Sequence, residues 1–232
     1  MITQRHCVRA TTVACRAGFC QARSMKRLSI AASFAAGSLG LAHVACAAPV
    51  VYRFDPVHTQ VWFVTDHQRF SHPQGRARVK DGWFQFDEKD WSQSRVDVEI
   101  DLAAVDMGDA KWTDTVRSGQ LLDIARWPTA RYTSKSVEKK DDKTGVIHGE
   151  LTFHGATRPI DVEFTVNHIG NDPYAFKQKA GFSAKAVLRR SDFDMKRYAD
   201  VIGENIELRF EIEGLADRDA AEKMSGDKPD GA

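Results

Sequence analysis

The chain has 232 residues, 42% of them hydrophobic and 28% charged, with 16 glycines and 7 prolines. That composition is globular and excludes a collagen-like repeat, low-complexity disorder and a multi-pass membrane protein. The formal net charge of +1 conceals two parts of opposite character.

Residues 1–47 carry six basic side chains (Arg5, Arg9, Arg16, Arg23, Lys26 and Arg27) and no Asp or Glu. From Met25 the chain reads Lys26-Arg27, then an apolar run of small residues from Leu28 to Ala42, then Ala45-Cys46-Ala47. This is the layout of a secretory signal peptide, with cleavage expected after Ala47. Initiation at Met25 gives such a peptide its ordinary length, so residues 1–24 are either a long charged region or the result of a start placed too early. A membrane anchor fits less well, because Gly37, Gly40 and His43 interrupt the run and leave it short of the roughly 20 apolar residues a span needs. Lipid modification at Cys46 is disfavoured by His43, which stands where lipoprotein signals want an aliphatic residue.

Beyond residue 47 there are 27 basic and 32 acidic residues, a net charge of −5 with the signs interspersed. Such a domain lacks the basic face that nucleic acid or an anionic membrane requires. Cys7, Cys15, Cys20 and Cys46 all lie in the leader, so disulfides, thiolate metal sites and thiol redox chemistry are excluded from the remainder. Burial alone must hold the fold, which the remaining length allows, since domains of that size bury about 70% of their unfolded surface.

Along that domain the dominant signal is period two. Val96, Val98 and Ile100 alternate with charged residues, as do Ile160, Val162, Phe164 and Val166, and Ile206, Leu208, Phe210 and Ile212. Each run predicts a half-buried strand of an antiparallel sheet with one wet face. Weaker alternation at Val61–Thr65, Phe84–Phe86, Ala130–Ser134, Gly149–Phe153 and Phe182–Leu188 brings the number of strands to eight or more. Asp81-Gly82 reads as a tight connection, residues 141–145 as a longer hairpin, and residues 154–159 as the turn into the next strand. From about Asp109 to Asp123 the alternation breaks, and Trp112, Val116 and Leu121 approximate helical spacing. A short helix forming one side of a lid fits this segment, with an irregular loop packed by Trp112 and Leu122 as the alternative. Residues 217–232 show no apolar periodicity and predict a disordered charged tail.

Eight strands that are apolar on one side hide it either in two stacked sheets or in one sheet rolled into a barrel. Several inward positions are small (Thr59, Ala130, Ser134, Gly149, Ala184 and Ala186). They leave room for a ligand in a barrel, or simply complement large neighbours in a filled core.

The same blocks carry a resemblance. Phe54-Asp55-Pro56-Val57-His58-Thr59, followed by Val61, Phe63 and His67, is similar to the entry strand of the YceI-like family. Gly75-Arg76, Gly82, Phe86-Asp87, Val105-Asp106-Met107, Asp114, Val116-Arg117-Ser118, Trp127-Pro128, Tyr132-Thr133-Ser134, residues 149–159 and Arg190-Ser191-Asp192-Phe193 follow in that family's order. The departures are Thr59 for serine, Ala77 for an aromatic, Val116 for leucine and Asp194 for glycine. The last stands where a positive φ is expected, which aspartate tolerates less well than glycine. The resemblance covers about Tyr52 to Ala216 and implies an all-β, extended antiparallel eight-stranded lipocalin-like barrel, with a short helix near one end. It further implies a periplasmic protein that binds polyisoprenoid lipids.

Catalysis finds little support in the residues. Asp55, His58, His67, Ser71 and His72 are raw material for a nucleophile, base and acid, but no Gly-x-Ser-x-Gly elbow is present. Along an extended strand His58 and His67 would be roughly 30 Å apart, too far to share an ion unless the chain folds back between them, and His148 and His154 about 20 Å. Phosphate-cradling loops, dinucleotide fingerprints and EF-hand spacing are missing. No catalytic residue, metal or cofactor is therefore assigned. The expected ligand wall is Phe63, Phe84, Phe86, Tyr132, Phe153, Phe164, Phe182, Leu188 and Phe210, with Trp112, Leu121 and Trp127 near a mouth. The expected partner is an isoprenoid lipid or quinone tail, carried, stored or sensed, without stable insertion into a membrane. Pairing of two barrels stays open. The rival readings are an interaction module with a filled core and, less favoured, an enzyme or electron-transfer partner.

Overall fold

The computed structural model describes residues 49–220. The expected leader (1–47) and most of the expected tail (221–232) lie outside the described residues. Among the described residues nine antiparallel strands form the fold: β1 Val50–Phe54, β2 Gln60–His67, β3 Gln74–Phe86, β4 Arg95–Asp106, β5 Thr129–Lys139, β6 Thr144–Phe153, β7 Ala156–Asp172, β8 Lys177–Arg189 and β9 Ile202–Ala216. Neighbouring strands pair in the order β3-β2-β9-β8-β7-β6-β5-β4, and β3 pairs with β4 to close the ring. Strand β1 pairs with the same neighbours as β2, matching Arg53 to Trp83 on β3 and to Leu215 on β9. The two are halves of one strand position, interrupted at residues 55–59, so the barrel has eight positions and no free edge.

The alternation read from the sequence sets which residues face inward. On β4, Val96, Val98, Ile100 and Leu102 point into the ring, while Asp97 meets Arg131 through two bonds of 2.8 and 2.6 Å. Glu99 meets Lys80 at 2.9 Å. Exposed pairs of this kind contribute at most about 1 kcal/mol each; apolar burial on the inner face dominates.

Two connections differ from expectation. Asp81-Gly82 is not a turn but part of β3, where the register with β4 shifts between Val79 and Asp81. Gly82 has φ +139°, and a Cβ there would lie 2.5 Å from the Asp97 carbonyl oxygen, so the glycine serves a β-bulge. The connection after β3 comes later, in a 3-10 turn at Trp91–Gln93. The turn into β7 is only His154-Gly155, with φ +48° and +78°, the form expected of a two-residue hairpin. Pro159 is inside β7, opposite Glu150 of β6.

An α-helix, α1, spans Ala110–Arg117, shorter than the expected segment. Asp109 caps it, its carboxylate accepting the Trp112 N–H at 2.9 Å. Asp194 adopts φ 58°, the left-handed conformation anticipated for that position, and its carboxylate meets Lys196 at 2.7 Å. Asp217, at the start of the expected tail, is held by Arg53 at 2.8 Å and accepts the N–H groups of Asp219 and Ala220.

Candidate functional site

The two ends of the barrel differ. At one end Tyr52 stacks on Phe84 at 5.0 Å, Phe84 and Phe86 meet Phe182 edge-on, and Trp91 packs on Phe86 and Phe164. Such aromatic pairs add about 0.5–1.5 kcal/mol each beyond their buried area, so this end is packed with rings. The other end is covered by α1, by the loop before β3 and by residues 190–201. His67 on β2 contacts Trp112 on α1 at 6.2 Å, and the Tyr198 hydroxyl donates to the Gln120 side chain.

Between these ends the inward side chains leave a cavity of about 470 Å³ whose surface is almost wholly carbon. That lies within the ~300–1,000 Å³ of small-molecule sites. A cavity of ~150 Å³ admits a benzene ring, so this one holds about three such units, or on the order of 18 carbons. Along β9 it is lined from Ile202 to Ile212, about 33 Å of strand and roughly 25 Å along a barrel tilted by about 40°. The space suits an extended chain.

Eleven of the twelve side chains expected at a ligand wall line this cavity. They are Phe63 on β2, Phe84 and Phe86 on β3, Tyr132 on β5, Phe153 on β6, Phe164 on β7, Phe182 and Leu188 on β8, Phe210 on β9, Trp112 on α1 and Leu121 just after it. Trp127 does not line the cavity. Its ring covers the Gly155 backbone, where a Cβ would fall 2.6 Å away, and the Arg126 guanidinium stands 4.9 Å from it. Of the small inward residues, Thr59, Ala130, Ala184 and Ala186 leave space in the wall. Ser134 instead accepts the Val96 N–H at 2.9 Å, and Gly149 lies beneath the Tyr132 ring.

Sequence reasoning missed His67 and Arg190, both in the wall. Strand parity carried the signal: His67 continues the series Val61, Phe63, Thr65, and Arg190 the series Phe182, Ala184, Ala186, Leu188. Met195, Tyr198 and Val201 also line the cavity, but from an irregular segment in which no period exists to be read.

The groups suggestive of catalysis do not assemble. Asp55 accepts a hydrogen bond from His58 Nδ1 at 2.7 Å, which raises the His58 pKa above its ordinary value. Among the described residues no hydroxyl is hydrogen-bonded to His58, and Ser71 lies at the α1 end, bridged to His67. Asp55, His58 and Glu213 bring ligand atoms within 4.8 Å of one another, a grouping that histidine spacing could not reveal. Its carboxylates are already engaged, Glu213 by Lys179 at 2.6 Å and Asp55 by His58 and the Val57 N–H. His148 pairs with Asp161 at 2.8 Å on the outer surface.

A closed antiparallel barrel with an apolar interior cavity defines the class: β-barrels with room for one small ligand. The chain belongs to the YceI-like domain family, whose model matches residues 52–214. It is 34% identical over 158 residues to Protein YceI of Salmonella newport and of Salmonella arizonae, covering 68% of this chain and 82% of each relative. Among solved structures, BcnA of Burkholderia cenocepacia superposes with a TM-score of 0.59 at 21% identity, over 69% of this chain and 98% of that one. A polyisoprenoid binding domain from Saccharophagus degradans gives 0.54 at 14% identity, over 72% and 99%. At such identities the two structures speak for the fold. Among the described residues no helix is long and apolar enough to cross a membrane.

Proposed function

We propose that this protein is a non-catalytic lipid-binding protein of the periplasm that encloses the apolar chain of one lipid, of isoprenoid type, for transport or storage. The observation that carries the reading is the unfilled carbon-lined cavity. At about 0.8 kcal/mol per buried methylene, some 18 carbons gain roughly 14 kcal/mol before ordering costs are deducted. A chain can therefore be held without any catalytic group. The polyisoprenoid-binding domain from Saccharophagus degradans supports the choice of ligand, and 18 carbons correspond to between three and four isoprene units. The leader-like residues 1–47 support export.

Native mass spectrometry of the protein recovered from its own periplasm tests this. A co-purifying mass of an isoprenoid lipid, released on denaturation, is the expected result. A clean apoprotein that also fails to take up added geranylgeraniol overturns the reading.

A further inference from the structure

The cavity wall contains no Asp and no Glu, yet it contains Arg190, whose relative exposure is 2%. A buried cation is costly unless it is paired and hydrogen-bonded. The bonds of Arg190 all run to main-chain carbonyls: Nη1 donates to Ile202 at 2.8 Å and to Gly203 at 3.5 Å, and Nη2 donates to Arg197. Its Nε makes no such bond. The carboxylate that acts on it, Glu204, is occupied elsewhere, accepting the Ser191 N–H and hydroxyl and lying 3.7 Å from Arg189. Among the described residues Arg190 forms no ion pair, and burial lowers its pKa from the ordinary arginine value. One positive charge thus stands beside an apolar cavity with its counter-charge missing.

Thr65, His67, Thr115 and Tyr198 line the cavity at the α1 end with Arg190, Thr59, Gln85, Ser94 and Arg95 line it toward the Phe86 end, and the middle of the wall is carbon apart from the Tyr132 hydroxyl. That hydroxyl is turned to the Ile147 and Ile160 carbonyls. Arg95 is at the opposite end and exposed, where water screens its charge. Of the two arginines in the wall, Arg190 alone is buried.

The geometry points to a long-chain monocarboxylic acid as the ligand class, with its carboxylate on Arg190 at the α1 end and its chain running toward the Phe86 end. This rests on the lipid-binding reading and adds the head group to it. One unpaired charge calls for one counter-charge, which a carboxylate supplies. A phosphate monoester carries about −1.5 to −2 near neutral pH and leaves excess negative charge beside a guanidinium whose Nη atoms are already engaged. A hydroxyl head offers neither the charge nor the stronger charge-assisted bond. Some 18 carbons behind the head fill the available volume.

The test compares oleate, oleyl alcohol and oleyl phosphate, one chain with three heads, by calorimetry on the delipidated protein at about pH 8, where the carboxylate is ionised. Oleate is expected to bind about ten- to a hundredfold more tightly than the alcohol, as a hydrogen bond to a charged group implies. In Arg190→Gln the acid-to-alcohol ratio falls toward one, and Arg190→Lys restores part of it. Equal binding of acid and alcohol by the unaltered protein overturns the head-group assignment while leaving the lipid-binding reading intact. Tighter binding of the phosphate overturns the choice of carboxylate. Binding of none of the three chains counts against the lipid-binding reading itself. Arg190 also ties down residues 197–203, so Arg190→Gln could lose its fold; the head-group comparison on the unaltered protein does not depend on that variant.

Discussion

Tyr132 and Gly149 show how closely the wall is fitted at the level of single residues. The Tyr132 hydroxyl lies 3.1 Å from both the Ile147 and Ile160 carbonyl oxygens, and burial pushes its pKa well above the usual phenol range. Its ring lies against Gly149, where a Cβ would fall 2.5 Å from the ring and 2.7 Å from the Thr133 carbonyl oxygen. Gly149→Ala is therefore expected to cost about 1–3 kcal/mol through overpacking, read as a lower urea midpoint with an unchanged slope. An unaltered midpoint would contradict the close approach. Both residues were recognisable as inward-facing from their parity, but their contact was not, because it joins positions seventeen apart across a register that only folding establishes. Arg190 shares the parity of Phe182, Ala184, Ala186 and Leu188 but stands in the 3-10 turn just past β8, and its burial is decided by the carbonyls of Arg197, Ile202 and Gly203 that fold over it.

Elements obey local rules where their chemistry is local. The hairpin between β7 and β8 is closed by Asp172, whose carboxylate accepts the Tyr174 and Ala175 N–H groups at 2.8 Å and pairs with Lys179 at 3.0 Å. The bond from Ala175, the Lys179 partner and the bond from Tyr174 together pull its pKa down to about 2. A carboxylate whose folded pKa is depressed contributes stability above its unfolded value, near 3.9, and loses it as pH falls through the folded one. The hairpin should thus stay closed at about pH 4 and loosen toward pH 2. Amide resonances of Tyr174 and Ala175 followed by NMR should titrate with a midpoint near 2; a midpoint near 4 would rule out this bonding. The hairpin at residues 141–145 was legible from turn chemistry of the same kind. Asp81-Gly82 misled because that dipeptide suits a turn and a bulge alike, and the pairing of β3 with β4 across the barrel decides between them.

At the scale of the whole molecule, ring closure turns nine amphipathic strands into an enclosed space. Aromatic rings fill the Phe86 end and small residues such as Ala184 and Ala186 leave the interior open. A ligand bound there stabilises only the folded state, by about 2.7 kcal/mol at a free concentration one hundred times its Kd. For a domain of this size each kcal/mol moves Tm by about 2–4 °C. Saturation with a fitting lipid should therefore raise Tm by roughly 5–11 °C in a calorimetric scan of delipidated protein, and a filled core predicts no shift.

The sequence by itself determined most of the strands and their inward faces, because period two is a local property of an extended backbone. The order of motifs also identified the family. Alternation by itself did not decide between stacked sheets and a ring, since each buries the same alternating face equally well; the resemblance implied the ring, and the pairing of β3 with β4 shows it. The tertiary structure alone decided the cavity, because empty space is a difference between the volume the backbone encloses and the volume the side chains occupy, and the enclosed volume is set by pairings between strands far apart in the chain.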